Sequence, residues 1–357
     1  MTKARKYIWN ENLCAHYHLI SRIVQRAFLF GFDEHTGINY DYRLLWVHER
    51  IKELSEIFTI IVGGHSFMGN HFHLLIQTRP DLTEALTPRE VIQRYFKLYA
   101  PEQSKNRILT PAEWTILEDE AIQDERLIKE YRRRLGSLSW YMKALKEQIA
   151  RRANKESNTT GHFWAERFKS ILLASSESVI LCQTYIDLNP IRAQMADKPE
   201  NSKYTSAYQR IQAKEAAEKM AVIQEYKKAG NIIHPDKEKE IQEISKLLGS
   251  ADYLAPFYNG ATHLRPFYKY TREESFLLLD NTAREISPNK KGFMDPALDS
   301  LFDRLKIDRE LWLQAIINYD KWFYRIIGKM SAAWESLKDT TAQWFKGSKI
   351  NRHLFGD

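Results

Sequence analysis

The sequence predicts an α+β fold: a ferredoxin-like core with an antiparallel sheet, a helical insertion and a helical C-terminal domain. Three observations predict it. Residues 14–25 alternate as a strand does, through His16-Tyr17-His18-Leu19-Ile20-Ser21-Arg22-Ile23-Val24. Two more strand-like runs, 58–67 and 70–78, follow each other across Met68-Gly69. Helix-period stripes occupy 41–57 and 176–188. Counted on core elements the order is β-α-β-β-α-β-α, a split βαβ arrangement with an added helix. Antiparallel neighbours with helices on one face suit that order.

Each element has a local cause. Leu44, Leu45, Val47, Ile51, Leu54 and Ile57 repeat at three- and four-residue steps, which predicts a helix over 41–57. The run from Ile60 to Gln77 reads as extended, broken near Gly63-Gly64 and again around Met68-Gly69. Residues 82–126 read as an inserted helical element that a compact core does not need: Leu82 to Leu98 is helical, and a polar stretch with Pro101 and Pro111 follows. Leu127 to Ala153 reads as one long basic helix carrying Arg132, Arg133, Arg134, Lys143, Lys146, Arg151 and Arg152. Phe163 to Leu173 reads as a strand. Ser175-Ser176-Glu177-Ser178 then opens a helix with residues suited to capping. Val179, Ile180, Cys182 and Ile186 give it an apolar stripe, and Pro190 marks its end.

The texture changes near 211. Residues 211–250 are rich in Lys, Glu, Ala and Ile, with Gly230, Pro235 and Gly249-Ser250 as punctuation, the pattern of solvated helix faces. A second apolar population follows over 272–357. Phe276 to Asp280 is helical or extended, and Pro296 to Leu305 and Glu310 to Ile327 read as helices. Leu311, Ile316, Tyr319, Phe323 and Ile327 form one stripe, and Trp312, Trp322, Trp334 and Trp344 add bulk that belongs in a core. Lys290, Lys291, Lys346, Lys349, Arg352 and His353 could face phosphate. The expected organisation is a first domain over 1–210, a helical linker over 211–260 and a small helical domain over 261–357.

Composition narrows the class. The chain has 357 residues, enough for two domains, and a formal net charge of +7, which favours a polyanionic partner. Its two cysteines, Cys14 and Cys182, argue against a disulfide framework and fit a reducing compartment. No run of 18 apolar residues is present, so no membrane partner is expected, and Met1 to Asn10 lacks an apolar signal core. A cytoplasmic, nucleoid-associated protein is expected.

Candidate chemistry sits in two segments. In Asn70-His71-Phe72-His73-Leu74-Leu75-Ile76, alternation puts His71 and His73 on one strand face and Phe72 on the other. Two neutral imidazoles side by side can hold one divalent metal. On the 176–188 helix, Tyr185 and Asn189 are four apart and share a face. A tyrosine hydroxyl can be a covalent nucleophile, and an asparagine oxygen can ligate Mg²⁺ or Mn²⁺.

Four blocks, in order, resemble the HUH single-tyrosine transposases, in particular their REP-associated branch. Tyr17-His18-Leu19-Ile20-Ser21-Arg22 resembles the first strand of that fold. Met68-Gly69-Asn70-His71-Phe72-His73 resembles its metal-binding strand, with Gly69 where many members carry Pro or Ser. Gly161 to Ser170, GHFWAERFKS, resembles the strand before the catalytic helix. Tyr185-Ile186-Asp187-Leu188-Asn189-Pro190-Ile191-Arg192-Ala193 resembles the catalytic helix, with Asp187 where some branches have His. The resemblance covers about residues 14–210; the remainder resembles only the C-terminal extension of a long subfamily.

The resemblance implies an HUH endonuclease core. His71, His73 and Asn189 would hold Mg²⁺ or Mn²⁺, and Tyr185 would attack a DNA phosphodiester to leave a 5′-phosphotyrosine and a free 3′-OH. The stored phosphoester would then permit rejoining. Arg167, Lys169 and the basic helix residues Arg132, Arg133, Arg151 and Arg152 would clamp backbone phosphates, together with Arg22 and Arg192 from the first and fourth blocks. The implied partner is single-stranded DNA beside a hairpin of a repeat-type element, bound by a monomer or a homodimer. Two alternatives stand beside this: a hairpin-binding protein that keeps the fold without cutting, and a metal hydrolase that uses water instead of tyrosine.

Overall fold

Tyr17, Leu19 and Ser21 point to one side of the strand β1 (His16–Arg22), and His18 and Ile20 to the other. Most of both sets are buried, which places β1 in the interior of a sheet. A computed structural model describes residues 13–24, 30–34, 37–105, 107–230, 234, 237–260, 266–286, 302–304, 307–338 and 345–356. After β1 come the short pair β2 (Phe32–Asp33) and β3 (Ile38–Asn39), α1 (Arg43–Ile57), β4 (Ile60–Met68) and β5 (His71–Thr78). The helices α2 (Pro80–Ala85), α3 (Pro88–Leu98), α4 (Pro111–Ile122), α5 (Glu125–Leu135) and α6 (Leu138–Glu156) follow. Then come β6 (Lys169–Leu173), α7 (Ser176–Asp187), α8 (Asn189–Arg192), α9 (Ser206–Lys228) and α10 (Glu238–Leu248). The last elements are α11 (Arg272–Ile286), α12 (Arg309–Ile317), α13 (Tyr319–Trp322), β7 (Ile326–Ile327), α14 (Met330–Leu337) and α15 (Ser348–Phe355).

The main sheet runs β4-β5-β1-β6-β7, antiparallel except for the parallel pairing of β7 on β6. The fold is α+β, as the element order predicts. Gly63 marks a register shift in β4, and Gly69-Asn70 turns β4 into β5. The sheet is covered on both faces, not one. Tyr17, Leu19, Phe72, Leu74 and Ile76 pack with α1, α3 and α6. On the opposite face, Leu75, Ile171 and Leu173 pack with α7 and with Tyr268, Trp312, Tyr319 and Phe323. The cause is the strands themselves: β5 is apolar at Phe72, Leu74 and Ile76 and again at Leu75, so each face demands a cover.

Several boundaries differ from expectation, each for a local reason. The single helix expected over 127–153 is two, α5 and α6, divided at Gly136-Ser137. There the Leu135 carbonyl accepts the Thr59 amide at 3.2 Å, and a Cβ on Gly136 would meet Thr83 Oγ1 at 2.7 Å. The strand expected over 163–173 is regular only from Lys169. Phe163 and Phe168, an odd number of residues apart, are buried in one cluster, which strict alternation forbids. The helix expected over 310–327 stops at Asn318 and again at Phe323, whose extended backbone leads into β7. The pairing there is firm, with the Leu172 amide donating to the Arg325 carbonyl at 2.7 Å.

The stretch 82–126 sends Val91 and Ile92 of α3 into the core under α1. In the 211–260 region, Arg210 at its border donates to the Gly63 and Ala255 carbonyls at 2.9 and 2.8 Å. From the part expected as a separate domain after 261, β7 joins the main sheet and Trp312, Tyr319 and Phe323 are fully buried against α7. Trp322 packs against the same cluster, and Trp334 is partly exposed beside Phe345. Lys346, Lys349, Arg352 and His353 are exposed. Lys290, Lys291, Trp344, Pro235, most of 296–305 and Met1 to Asn10 lie outside the described residues. No described helix is long and apolar enough to cross a membrane.

Candidate active site

β5 delivers His71 and His73 to the face opposite Phe72, their rings 5.0 Å apart and nearly perpendicular. Across the register, His73 lies beside Ile20 and His71 beside Arg22 of β1. α7 lies over this face. Its start is fixed by a Ser175 capping box, and its end runs through Leu188 directly into α8. That continuity keeps Tyr185 and Asn189 on one side, as their spacing predicts. The Tyr185 ring lies 5.7 Å from the His73 ring and 5.9 Å from that of His18. A cleft of about 460 Å³ opens here, lined by Arg22, His71, His73, Lys169, Tyr185 and Asn189, with Arg192, Asp320, Phe323 and Tyr324 closing it.

The electrostatics favour neutral rings and a protonated phenol. Burial, with Arg22 adding to it, holds His71 down at about 4, so it is neutral at physiological pH. Burial and then the neighbouring His18 hold His73 well below the usual imidazole range. Burial, followed by the charge of Asp320, pushes the Tyr185 hydroxyl up. That hydroxyl donates to Asp320, whose two oxygens each lie 2.9 Å away. The Tyr185 ring stacks on Tyr319 at 3.9 Å, and the Arg192 guanidinium sits 4.7 Å from its centre on the cleft side. Arg192 also donates to Asn189 Oδ1 and to the Ile317 carbonyl, each at 3.2 Å.

The donor set fits a divalent cation. His71 Nδ1 donates to Asn70 Oδ1 at 2.7 Å, which leaves Nε2 as a lone pair. His73 Nε2 is buried with no hydrogen-bond partner. Asn189 Oδ1 keeps a second lone pair beyond the one Arg192 takes. Among the described residues no group of three or more His, Cys, Asp or Glu side chains is spaced to hold a metal, so any site here rests on two imidazoles and an amide.

The remaining basic residues divide by position. Arg22, Lys169 and Arg192 line the cleft. Arg132, Arg133, Arg151 and Arg152 ride on α5 and α6; α6 covers the opposite face of the sheet and α5 packs beside it. Arg132 donates to the Thr83 carbonyl at 2.7 Å, closing the end of α2, and Arg133 pairs with Glu130 at 2.9 Å. Arg151 pairs with Glu147 at 2.5 Å, and Arg152 sits 4.0 Å over the Trp46 ring. Arg167 is exposed.

Three site residues have no counterpart in the sequence-based set: Asp320, Tyr319 and His18. Asp320 and Tyr319 lie more than 130 positions from Tyr185, with no local spacing to betray them. His18 was in view within the first-strand block, and alternation from β1 was the signal that it faces the cleft side.

No protein-family model matches the chain, and no curated protein matches it. A solved structure of a REP-associated tyrosine transposase bound to a REP hairpin is similar over 58% of this chain and 82% of its own, at 10% identity and a TM-score of 0.33.

Proposed function

We propose that the cleft is the active site of a metal-dependent single-stranded DNA nickase and strand transferase, acting beside a hairpin through a 5′-phosphotyrosine. The observation that carries this is the meeting of Tyr185 with a pair of neutral histidines, of which His73 Nε2 has no hydrogen-bond partner, in a cleft edged by Arg22, Lys169 and Arg192. Tyr185 Oη is the nucleophile toward phosphorus. As the Tyr–O–P bond forms and the P–O3′ bond breaks, the phenol proton passes to Asp320, already hydrogen-bonded to it, and the departing 3′ oxygen takes a proton from water. His71, His73 and Asn189 would hold a divalent cation, Mg²⁺ or Mn²⁺, which would supply Lewis acidity to the scissile phosphate. Arg22, Lys169 and Arg192 hold flanking phosphates irrespective of sequence, which makes binding salt-sensitive.

A second reading has an observation in its favour. Tyr185 is only 1% exposed and its hydroxyl is already held by Asp320, as suits a hairpin-binding protein that does not cut. One experiment separates the two. A labelled single strand carrying a hairpin is incubated with the protein and Mn²⁺ and run on a denaturing gel. The nickase gives a covalent adduct that Tyr185→Phe abolishes while strand binding persists. Binding without any adduct in the unaltered protein supports the non-cutting reading.

A further inference from the structure

His18 is fully buried, and the chemistry described above gives it no task. Its two ring nitrogens link the site to the C-terminal part of the chain. Nε2 lies 2.8 Å from His73 Nδ1, and Nδ1 lies 3.2 Å from the Tyr319 hydroxyl. Tyr319 is in turn buried in one cluster with Cys182.

The chain has two self-consistent proton arrangements. In the first, Tyr319 donates to His18 Nδ1, His18 Nε2–H donates to His73 Nδ1, and the His73 proton is left on Nε2. That N–H is buried with nothing to receive it, a rare and costly state. In the second, His73 Nδ1–H donates to His18 Nε2 and His18 Nδ1–H donates to Tyr319 Oη. His73 Nε2 is then a bare lone pair on a ring that lines the cleft. His18 is fully buried, and each of its ring nitrogens faces one partner, so it carries a single ring proton in either arrangement.

We propose that His18, backed by Tyr319, is a positioning residue that fixes His73 as the Nδ1–H tautomer and so presents Nε2 to a divalent cation. This rests on the proposed ligation by His71 and His73. A metal-binding histidine generally donates its other ring N–H to an acceptor that sets its tautomer and orientation. That acceptor is usually a carboxylate or a carbonyl; here a second imidazole fills the role, and its own proton is steered from a residue 301 positions away. The cation affinity of the strand pair therefore depends on where α13 sits.

The first test needs no metal. In ¹⁵N-histidine-labelled full-length protein, the nitrogen shifts of His73, assigned by their absence in His73→Gln, report its tautomer. Protonated Nδ1 with bare Nε2 is expected; protonated Nε2 overturns the proposal. The second test is Mn²⁺ titration followed by electron paramagnetic resonance. His18→Phe keeps a ring but no acceptor and should weaken binding about 10- to 100-fold. His18→Gln keeps an acceptor oxygen near the position of Nε2 and should stay within about 3-fold of the unaltered protein. Equal affinities for all three proteins, or equal losses in both variants, overturn the role of His18. Absence of Mn²⁺ binding in the unaltered protein sinks the metal reading instead, and the tautomer result still decides the proton arrangement.

Discussion

The two faces of the sheet are closed by different means. One takes its cover mainly from helices that neighbour the strands in sequence, α1, α3 and α6, packed on Phe72, Leu74 and Ile76. The other, which bears His71 and His73, is closed by α7 and then by Tyr268, Trp312, Tyr319 and Phe323. The same strand thus builds an ordinary core on one side and a polar cleft on the other. Proximity in sequence governs most of the first, which Leu254, Met330, Ala333 and Leu337 only complete; the second depends on distant segments for its main cover. A site that must remain partly open gains its last walls from outside the local fold, where they can be placed without disturbing the core.

The largest way to break this contrast is to remove the distant cover. Burying a residue such as Trp312 or Phe323 is worth about 3–5 kcal/mol by large-to-small substitution, and whole domains are stable by only about 5–15 kcal/mol. Residues 1–210 alone are therefore expected to aggregate or to melt without a cooperative transition, as read by circular dichroism and gel filtration. A soluble truncation that melts cooperatively and forms the covalent adduct would show that the site face closes locally after all.

Acid probes both faces at once. His16, on the site face, and His48, on the other, are each held down at about 4, in both cases chiefly by burial, with Lys269 adding to the effect at His16. The unfolded chain binds more protons than the folded one between about pH 6.5 and 4, so stability is full above that window and is lost as pH falls through it. Each histidine contributes at most about 3 kcal/mol. Melting temperature should drop between pH 7 and 4.5, and His16→Gln and His48→Gln should each flatten the drop. An unchanged slope in either variant removes that face from the acid response.

A smaller effect sharpens the contrast at one point of the seam. Gly63 sits at the shift in β4, where its carbonyl accepts Tyr268 Oη at 2.7 Å and an Arg210 guanidinium N–H at 2.9 Å. A Cβ there would collide with the Phe267 ring. Gly63→Ala should cost about 1–3 kcal/mol in urea unfolding, through the distant cover alone. A neutral result would mean that Phe267 yields without loss.

What was legible in the sequence follows the same division. The spacing of His71 and His73 fixes their common face because a strand has period 2, and Tyr185 with Asn189 follows from the helical turn. Those relations are local and survive any tertiary context. The break at Gly136 was hidden because basic residues continue the helical composition on both sides, and only the approach of Thr83 reveals the need for glycine. The strand at 163–168 failed because two phenylalanines at odd spacing share one core. Asp320 and Tyr319 were illegible in principle. Their roles exist only once β7 has paired with β6, and nothing in Asn318-Tyr319-Asp320-Lys321 distinguishes it from an ordinary helix end.

The hydrogen bond between Tyr185 and Asp320 also has a meaning in time. A chain emerging from the ribosome presents Tyr185 first, and Asp320 only 135 residues later. At about 5–20 residues per second, that interval is roughly 7–27 s. For those seconds the newborn protein carries its candidate nucleophile without the carboxylate that holds it and without the strand that brings that carboxylate near. Synthesis itself therefore sets the earliest moment at which the cleft exists, and a ribosome stalled before residue 320 releases a product that never assembled one.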